Sequence, residues 1–576
     1  MNKGLLKKLI DTAAGRIPAD LVIKNCRVID VYNASVIGGD IALCEGLIAG
    51  VGHYNGCTEI DANGQYAAPG FIDSHIHIES SYVSPEELGR LIVPHGTTAI
   101  IADPHEIANV CGLAGIEYMI EAAKGAALDI KWMLPSCVPA TPYEHAGASI
   151  NANDMKAVMA RDEILGLGEF MIFPGVVEAE SAILDKLLVA INNGKPIDGH
   201  SPGLSENALN AYASAYIHTD HECSTIEEMR DRLSRGMYVL MREGSTCHNL
   251  LDLLKAVTPL NSRRCLLCSD DRQAKTILSE GHLDNLLRLC VSAGVDPFIA
   301  IQMATLNAAE CYGLRDRGAI APGLRADIVL MDNLTDFNVK KVFIAGREAA
   351  ADGNYLLPLI KHDISATKGR FRVKDFSRDK LKLPIHSDRA HVIAVIPGGV
   401  VTRKETAMIS RDEHDEFIYD PEKDIVKIAV VERHHGTGNV TVALLKGYGM
   451  KHGAIALSVA HDSHNIITVG ANDDDMAFSV QKLIEQDGGI VVACDQNVLE
   501  CLPMPIAGLM SDQSGEWVSE KLSRIHQTVI ETLGVHDDLE PVMLLCFMAL
   551  PVIPELKLTD MGLFDVNQFG FIDIEA

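Results

Sequence analysis

The sequence predicts an α/β protein in which a (β/α)8 TIM-like barrel is inserted into a small β-sandwich and followed by a C-terminal α+β domain. Short apolar runs that end in polar residues alternate with helical segments through the middle of the chain, which is typical of a parallel barrel. Two stretches with similar β-strand patterns flank that region. A third unit with its own strands follows, and 576 residues are enough for several domains.

The first flanking stretch follows a short amphipathic helix predicted within residues 1–16. Its strands begin at ADLVIKN (19–25) and DIAL (40–43), and glycine pairs or near-pairs separate them. A similar segment, ADIVLMD, occurs at 326–332 and is followed by VFIAG at 342–346. We therefore predict one composite β-sandwich domain formed by residues 1–68 and 319–366.

The inserted stretch, residues 69–318, contains eight strand candidates separated by helical segments, and this number favours a closed (β/α)8 barrel. A doubly wound open sheet has the same alternation of strands and helices, so periodicity alone leaves that alternative open. The eight candidates are residues 70–75, 98–103, 131–136, 164–169, 196–200, 216–221, 238–242 and 265–270.

The remaining chain divides into a linker and a third unit. Residues 367–388 are rich in lysine, arginine and aspartate, which is typical of a surface linker. Residues 391–576 are predicted to form the C-terminal α+β domain. Strands are expected at 425–431, 439–445 and 489–492, and a helix is expected at 476–486.

Composition excludes several classes of function. The 78 acidic residues outnumber the 50 basic ones and give a net charge of −28, which disfavours nucleic acid or an anionic membrane as the main partner. The sequence shows neither a secretory signal pattern nor a long apolar run, so we expect a cytoplasmic protein without membrane association. The 14 cysteines are then expected to be reduced thiols. Cys265 and Cys268 lie three apart on a strand and therefore on opposite faces.

A pair of histidines, His75 and His77, ends the first strand candidate. About one His-x-His pair is expected by chance in a chain of this composition, so the motif alone is weak evidence for a metal site. Its location at the end of a strand is the stronger evidence. Side chains alternate along a strand, and both imidazoles therefore point to the same face. Two imidazoles on one face can hold a divalent metal ion, whereas the alternative is a pair of polar residues at a strand end.

Metal-ligand residues also end four of the other strand candidates. The carboxyl ends of barrel strands converge on one mouth, so these side chains are expected to meet there. Each alone could be a solvated loop residue. Together, four imidazoles and two carboxylates suit a pair of divalent first-row metal ions better than Mg²⁺ or Ca²⁺. The six predicted metal ligands are His75, His77, Glu169, His200, His221 and Asp270.

These motifs carry a resemblance to a known family. The segment PGFIDSHIH at 69–77 resembles the first-strand signature of the amidohydrolase superfamily, and GAIAPGLRAD at 318–327 resembles the return into that superfamily's β-sandwich. Over nearly its whole length the chain is similar to the bacterial adenine deaminase family. The segments that carry this similarity are HIESS (77–81), DPHEI (103–107), DGHSPG (198–203), MREGS (241–245), SDDR (269–272), RHHGTG (433–438) and HDSHN (461–465).

The resemblance implies the hydrolytic deamination of adenine to hypoxanthine and ammonia. It also implies a binuclear centre of manganese or iron, with zinc chemically compatible, and a homo-oligomer, a dimer being the expectation. Many amidohydrolases place a carboxylated lysine at the fourth strand; here Glu169 stands there and would supply the bridging carboxylate. Asp270 would carry the proton taken from the attacking water, and either Glu169 or another nearby acid would protonate the substrate.

The loops after strands two and seven are expected to overlook the mouth. Their polar residues would bind the edge of the purine, and for Asp103 and His105 an accessory metal is a further hypothesis. The alternative for all five is a loop ion pair or a surface charge. The five predicted substrate-binding residues are Asp103, His105, Glu106, Arg242 and Glu243.

Other interpretations remain open at this point. A cyclic-amide hydrolase is the first, although that class favours the lysine that is absent from the fourth strand. A non-catalytic barrel scaffold is the second, although such chains usually lose their metal ligands. Histidines of the third unit could form a second metal cluster, but a domain surface or interface is the expected location for His434, His435, His461 and His464.

Overall fold

The computed structural model describes residues 1–576 and begins with a helix that packs on a sheet. The helix α1 spans Lys3–Ala13, and the side chain of Asn2 caps it by accepting a hydrogen bond from the Leu5 amide. Five strands follow: β1 Ala19–Asp30, β2 Ser35–Cys44, β3 Leu47–Gly52, β4 Gly56–Asp61 and β5 Tyr66–Pro69.

Eight parallel strands form the barrel. All six residues of the first of them are buried, as expected where helices cover the outer face and side chains fill the interior. The strands are β6 Phe71–Ile76, β7 Thr97–Ala102, β8 Asp129–Leu134, β9 Ile164–Phe170, β10 Ile197–Gly199, β11 Thr219–Asp220, β12 Tyr238–Arg242 and β13 Cys265–Cys268.

Backbone hydrogen bonds close the barrel at two seams. At one, the His218 amide donates to the Ile197 carbonyl at 3.1 Å, which joins the five-stranded sheet β6–β10 to the three-stranded sheet β11–β13. At the other, the Asp270 amide donates to the His75 carbonyl at 3.0 Å and the His77 amide donates to the Asp270 carbonyl at 3.3 Å. The barrel prediction is therefore confirmed, and the doubly wound alternative is excluded because an open sheet has no second seam.

Helices connect the strands and cover the barrel. They are α2 Pro85–Ile92, α3 His105–Cys111, α4 Leu113–Ala123, α5 Ala152–Met159, α6 Phe173–Val177, α7 Ser181–Asn192, α8 Glu206–Ser214, α9 Ile226–Ser234, α10 Leu250–Leu254, α11 Ala274–Glu280, α12 Leu283–Ser292, α13 Pro297–Met303 and α14 Leu306–Cys311. After the barrel the chain returns to the first sheet. The returning strands are β14 Ile328–Met331, β15 Val339–Ile344, β16 Arg347–Ala351 and β17 Asn354–Tyr355.

The two flanking stretches form one nine-stranded sheet. Its order is β17-β16-β15-β14-β5-β1-β2-β3, and β4 pairs with β1. The seam between the stretches is the antiparallel pair β5–β14, in which Ala68 faces Val329. Residues 367–388 do not run freely over the surface as a linker: Leu381 is buried, and the Arg372 amide donates to the Arg433 carbonyl.

The C-terminal domain contains an eight-stranded sheet, on which helices pack, a three-stranded sheet and a two-stranded sheet. Its strands are β18 Arg389–Val395, β19 Thr402–Met408, β20 Ser410–Arg411, β21 Phe417–Ile418, β22 Ile425–Val431, β23 Val440–Lys446, β24 Ala454–Leu457, β25 Ile466–Gly470, β26 Gly489–Cys494, β27 Asn497–Pro503, β28 Leu556–Thr559, β29 Gly562–Asp565 and β30 Gly570–Phe571. Its helices are α15 Asp473–Glu485, α16 Gly515–Glu531 and α17 Met543–Cys546.

The barrel and the C-terminal domain share one apolar core. It runs without a break from barrel residues such as Ile107 and Leu134 to Leu545 and Met548 of the C-terminal domain. The C-terminal domain is therefore packed on the barrel. None of the helices combines the length and the apolar character needed to cross a bilayer. All the cysteines are free thiols, as the sequence predicts.

Candidate metal centre

The six predicted ligands converge at the carboxyl ends of the barrel strands. His75 Nε2 and His77 Nε2 lie 3.0 Å apart, and both face Asp270 Oδ1, at 3.6 and 3.3 Å. The imidazole rings of His75 and His221 stack with their centroids 4.1 Å apart. Strands β6, β11 and β13 thus bring their terminal side chains to one point, as a closed parallel barrel requires.

The carboxylate of Glu169 lies at the centre of the cluster. Its Oε1 is 3.3 Å from His77 Nε2, while its Oε2 is 2.8 Å from His200 Nδ1 and 3.1 Å from His221 Nε2. The two oxygens therefore face different imidazoles. A carboxylate with this arrangement can bridge two cations.

Glycine and an acidic residue hold Glu169 in place. The Glu169 amide donates to Asp103 Oδ2 at 2.8 Å. A Cβ atom on Gly168 would lie 2.1 Å from that same oxygen, so only glycine permits the close approach of the backbone to Asp103. Asp103 thereby orients the end of β9.

The end of β13 is fixed in a similar way by a buried carboxylate. Asp73 accepts hydrogen bonds from the Ser269 amide at 3.1 Å and from Ser269 Oγ at 2.6 Å, and His282 Nε2 lies 3.2 Å away. The next residue, Asp270, has a left-handed backbone with φ of 54°, which aspartate tolerates better than most side chains. The turn directs Asp270 toward β6.

The electrostatics of the cluster fit divalent cations. Burial would raise the pKa of Glu169, but the imidazoles of His200 and His221 hold it well below its usual range. Burial lowers the pKa of His75, and the neighbouring imidazoles lower it further, so this ring is neutral. Buried nitrogens on His75 and His200 have no hydrogen-bond partner. Facing ring nitrogens and ionised carboxylates suit a shared pair of first-row divalent ions.

Comparison with known proteins follows the same division of the chain. Residues 66–349 match the amidohydrolase family, and residues 399–570 match the adenine deaminase C-terminal domain. The chain is 68% identical to adenine deaminase 2 of Desulfotalea psychrophila and 51% identical to adenine deaminase of Ligilactobacillus salivarius, in each case over 100% of both chains. The chain belongs to the adenine deaminase family. An amidohydrolase family member of this kind has a divalent metal centre, and the six residues above are its candidate ligands.

In this adenine deaminase family member, only some of the predicted substrate-binding residues border the cavity beside the metal centre. His105, Glu106 and Arg242 line it. Asp103 lies behind Glu169, as described above. The Glu243 carboxylate contacts His248 Nδ1 at 2.6 Å and does not line the cavity.

Arg242 is held by two carboxylates. Its Nη1 lies 2.5 Å from Glu222 Oε1 and 3.2 Å from Asp270 Oδ2, and its Nη2 lies 3.1 Å from Glu222 Oε2. Glu222 Oε1 is also 3.4 Å from His221 Nε2. The sequence analysis did not assign a role to Glu222, although it directly follows a predicted ligand.

The cavity also contains residues that sequence reasoning did not assign to it. Asp271 follows the predicted ligand Asp270, and its carboxylate accepts a hydrogen bond from Ser80 Oγ at 2.5 Å. Several others come from the C-terminal domain, and of these only His461 and Asp462 lie in a segment, HDSHN (461–465), that carries the family similarity. These C-terminal lining residues are Val400, His461, Asp462, Phe547, Leu550 and Ile553.

The four C-terminal histidines have two different environments. His434 and His435 bond to the carbonyls of Ser463 and Ala146, which places them at the domain interface. His461 Nδ1 lies 3.5 Å from Glu106 Oε1, and His464 is nearby. His464 Nδ1 accepts a hydrogen bond from the Ala460 amide at 3.2 Å, and its Nε2 is buried without a hydrogen-bond partner. Ligand atoms of Glu106, His461 and His464 lie within 4.8 Å of one another and could hold a metal ion, so a second metal cluster stays a prediction.

Proposed function

We propose that this protein hydrolyses adenine to hypoxanthine and ammonia. One observation carries the proposal: the cluster of four imidazoles and two carboxylates is complete in a chain that matches relatives named adenine deaminase along its whole length. A scaffold that had lost catalysis would not need these polar groups buried together at one point, because their desolvation is costly. The absence of a lysine at the position of Glu169 disfavours a cyclic-amide hydrolase.

The metal ions proposed are two divalent first-row ions, manganese or iron, with zinc compatible with the same ligands. His75, His77, Glu169, His200, His221 and Asp270 would hold them. When bound, they would supply water that is activated near neutral pH to attack C6 of the purine. Glu169 would bridge the two ions, since its oxygens face separate imidazoles.

Asp270 is the proposed proton carrier. Its Oδ2 is oriented by Arg242 at 3.2 Å, while Oδ1 faces the histidine pair of β6. In this position the carboxylate can take a proton from the attacking water and deliver it to the leaving amine. Arg242 is proposed to position Asp270 as well as to border the substrate.

The purine edge is proposed to meet His105 and Glu106. Glu106 Oε1 lies 3.0 Å from Ser80 Oγ, whereas Oε2 is buried without a partner. Burial and the nearby Glu79 carboxylate raise the pKa of Glu106 well above its usual range, so the group can donate a hydrogen bond to a ring nitrogen. Asp103 and Glu243 are proposed to act indirectly, through Glu169 and His248.

Ammonia release across a set of bases tests the proposal. The purified protein should release ammonia from adenine and much less from guanine, adenosine or cytosine, and it should not open the ring of a dihydropyrimidine. Ammonia from adenosine without ammonia from adenine would overturn the free-base assignment. Ring opening of the dihydropyrimidine alone would favour a cyclic-amide hydrolase.

Assembly is proposed from the family resemblance, and location from the sequence expectation given above. We propose a homodimer in the cytoplasm. Light scattering of the purified protein at micromolar concentration should give twice the 62.3 kDa chain mass. A mass of one chain would contradict the dimer.

A further inference from the structure

The cavity beside the metal centre has a polar side and an apolar side. The barrel supplies the polar side, with the proposed metal ligands. The C-terminal domain adds the polar residues His461 and Asp462 and supplies the apolar side with Val400, Phe547, Leu550 and Ile553, each no more than 5% exposed. We call these four side chains the apolar wall. Side chains without hydrogen-bonding groups discriminate between substrates by shape.

The apolar wall is held rigidly against the barrel. The Phe547 ring stacks on His461 with centroids 4.5 Å apart and an interplanar angle of 19°. His461 in turn lies 3.5 Å from Glu106. Stacking on one face and contact with the barrel therefore fix where the Phe547 ring can lie.

A buried lysine forms hydrogen bonds to the backbone at two residues of the apolar wall. Lys557 Nζ donates to the Val400 carbonyl at 2.8 Å and to the Phe547 carbonyl at 3.1 Å. The side chain has no solvent exposure and no carboxylate partner. Burying its charged form therefore costs free energy, which these two hydrogen bonds partly offset. Lys557 thus ties the loop before β19 to the segment after α17.

The chemistry of the purine determines which of its atoms meets the apolar wall. Its C6 atom must face the metal centre at the carboxyl ends of the barrel strands. N9 lies on the other ring of the bicycle, on the side remote from C6. C-terminal residues line the cavity at the mouth of the barrel, so the N9 edge of a base bound with C6 at the metal centre would face that domain.

We infer that the apolar wall admits the free base and excludes purines substituted at N9, so that the C-terminal domain determines specificity for base over nucleoside. This inference rests on the proposed function. A substituent on N9 would have to displace Phe547, Leu550 or Ile553, which offer it no hydrogen-bonding group.

The test compares adenine, 9-methyladenine and adenosine as substrates of the wild type and of wall variants. For the wild type, kcat/KM for 9-methyladenine should be about 100-fold below that for adenine. Leu550→Ala and Phe547→Leu should each narrow this gap about tenfold, because they remove bulk at the wall. Leu545→Ala is the matched control, since Leu545 is equally buried but does not line the cavity.

The outcomes separate this inference from the proposed function. Wall variants that still turn over adenine but gain nothing on 9-methyladenine would overturn the inference, and so would a wild type that uses both bases equally. The comparison of the two bases with the wild type can overturn the inference even if both variants fail to fold. A wild type that releases no ammonia from adenine would instead overturn the proposed function.

Discussion

His105 Nε2, on the first residue of α3 after the second barrel strand, lies 3.6 Å from Asp462 Oδ1 of the C-terminal domain. Burial lowers the pKa of His105, but the Asp462 carboxylate outweighs it and raises the pKa to about 10. The other ring nitrogen, Nδ1, is 3.4 Å from Glu169 Oε1. One side chain therefore connects the candidate metal centre to the C-terminal domain, and the site belongs to both domains.

Asp270→Asn should abolish most of the turnover. The amide keeps the shape of the side chain but cannot accept the proton, so kcat should fall by about 10²–10⁴-fold. Steady-state ammonia release at saturating adenine measures the loss. Metal content is determined on the same sample, because Asp270 is also a proposed ligand. A variant with both metals and full turnover would refute Asp270 as the proton carrier.

Arg242→Lys should lower kcat more than it raises KM. Lysine keeps the positive charge but cannot reproduce the two-oxygen contact with Glu222 together with the contact to Asp270. Loss of orientation at Asp270 should reduce kcat by about 100-fold. The exposed Arg230 on α9 provides the control Arg230→Lys. A raised KM with unchanged kcat would place Arg242 on the substrate instead.

Arg232→Met should destabilise the barrel strongly. The buried guanidinium donates to Asp220 at 3.0 Å and to the carbonyls of Ser201 and Leu204 at 2.5 and 2.8 Å, which ties together the loops that carry His200 and His221. Removing it leaves Asp220 buried and unpaired, at a cost of about 3–5 kcal/mol.

Urea denaturation followed by circular dichroism measures the effect. Arg230→Met, on the same helix but exposed, should change the unfolding free energy by less than about 0.5 kcal/mol. Equal midpoints for Arg232→Met and Arg230→Met would contradict the role given to this ion pair.

Lys557 should make stability depend on pH. Burial lowers its pKa from 10.5 to about 7. Between pH 7 and 10.5 the unfolded chain retains a proton that the folded chain has released, so stability increases as pH rises through this range. Below about pH 7 both states are protonated, and the full cost of the buried charge is present.

A comparison with Lys557→Met isolates this contribution. The unfolding free energy of the wild type relative to the variant should increase by at most about 1.4 kcal/mol per pH unit between pH 7 and 9. Urea midpoints at pH 7, 8 and 9 give the difference. Midpoints of the two proteins that shift in parallel would show that Lys557 is charged in the folded state.

The barrel and the cluster at its mouth could be predicted because they depend only on the alternation of strands and helices and on which residues end the strands. Parallel strands end on the same side, so residues at strand ends such as His75, Glu169 and Asp270 can be expected to meet without knowledge of any side-chain contact. Strand-end position does not predict which residue of a loop will face the cavity. Glu222 borders the cavity while Glu243 turns toward His248, and this depends on how each loop folds.

The contribution of the C-terminal domain could not be predicted for a different reason. Phe547 and Asp462 reach the site because two domains share a core, and no periodic pattern in the sequence records which loops of one domain pack over another. Asp103 illustrates the same limit within the barrel: its placement after a strand predicts proximity to the site, but its bond to the Glu169 amide appears only in the folded chain.

Metal content measured together with ammonia release from adenine tests the central claim most directly. The protein as purified should contain two divalent first-row ions per chain, lose turnover when a chelator removes them, and regain it when Mn²⁺ is restored. A metal-free protein that deaminates adenine at the full rate would contradict the account.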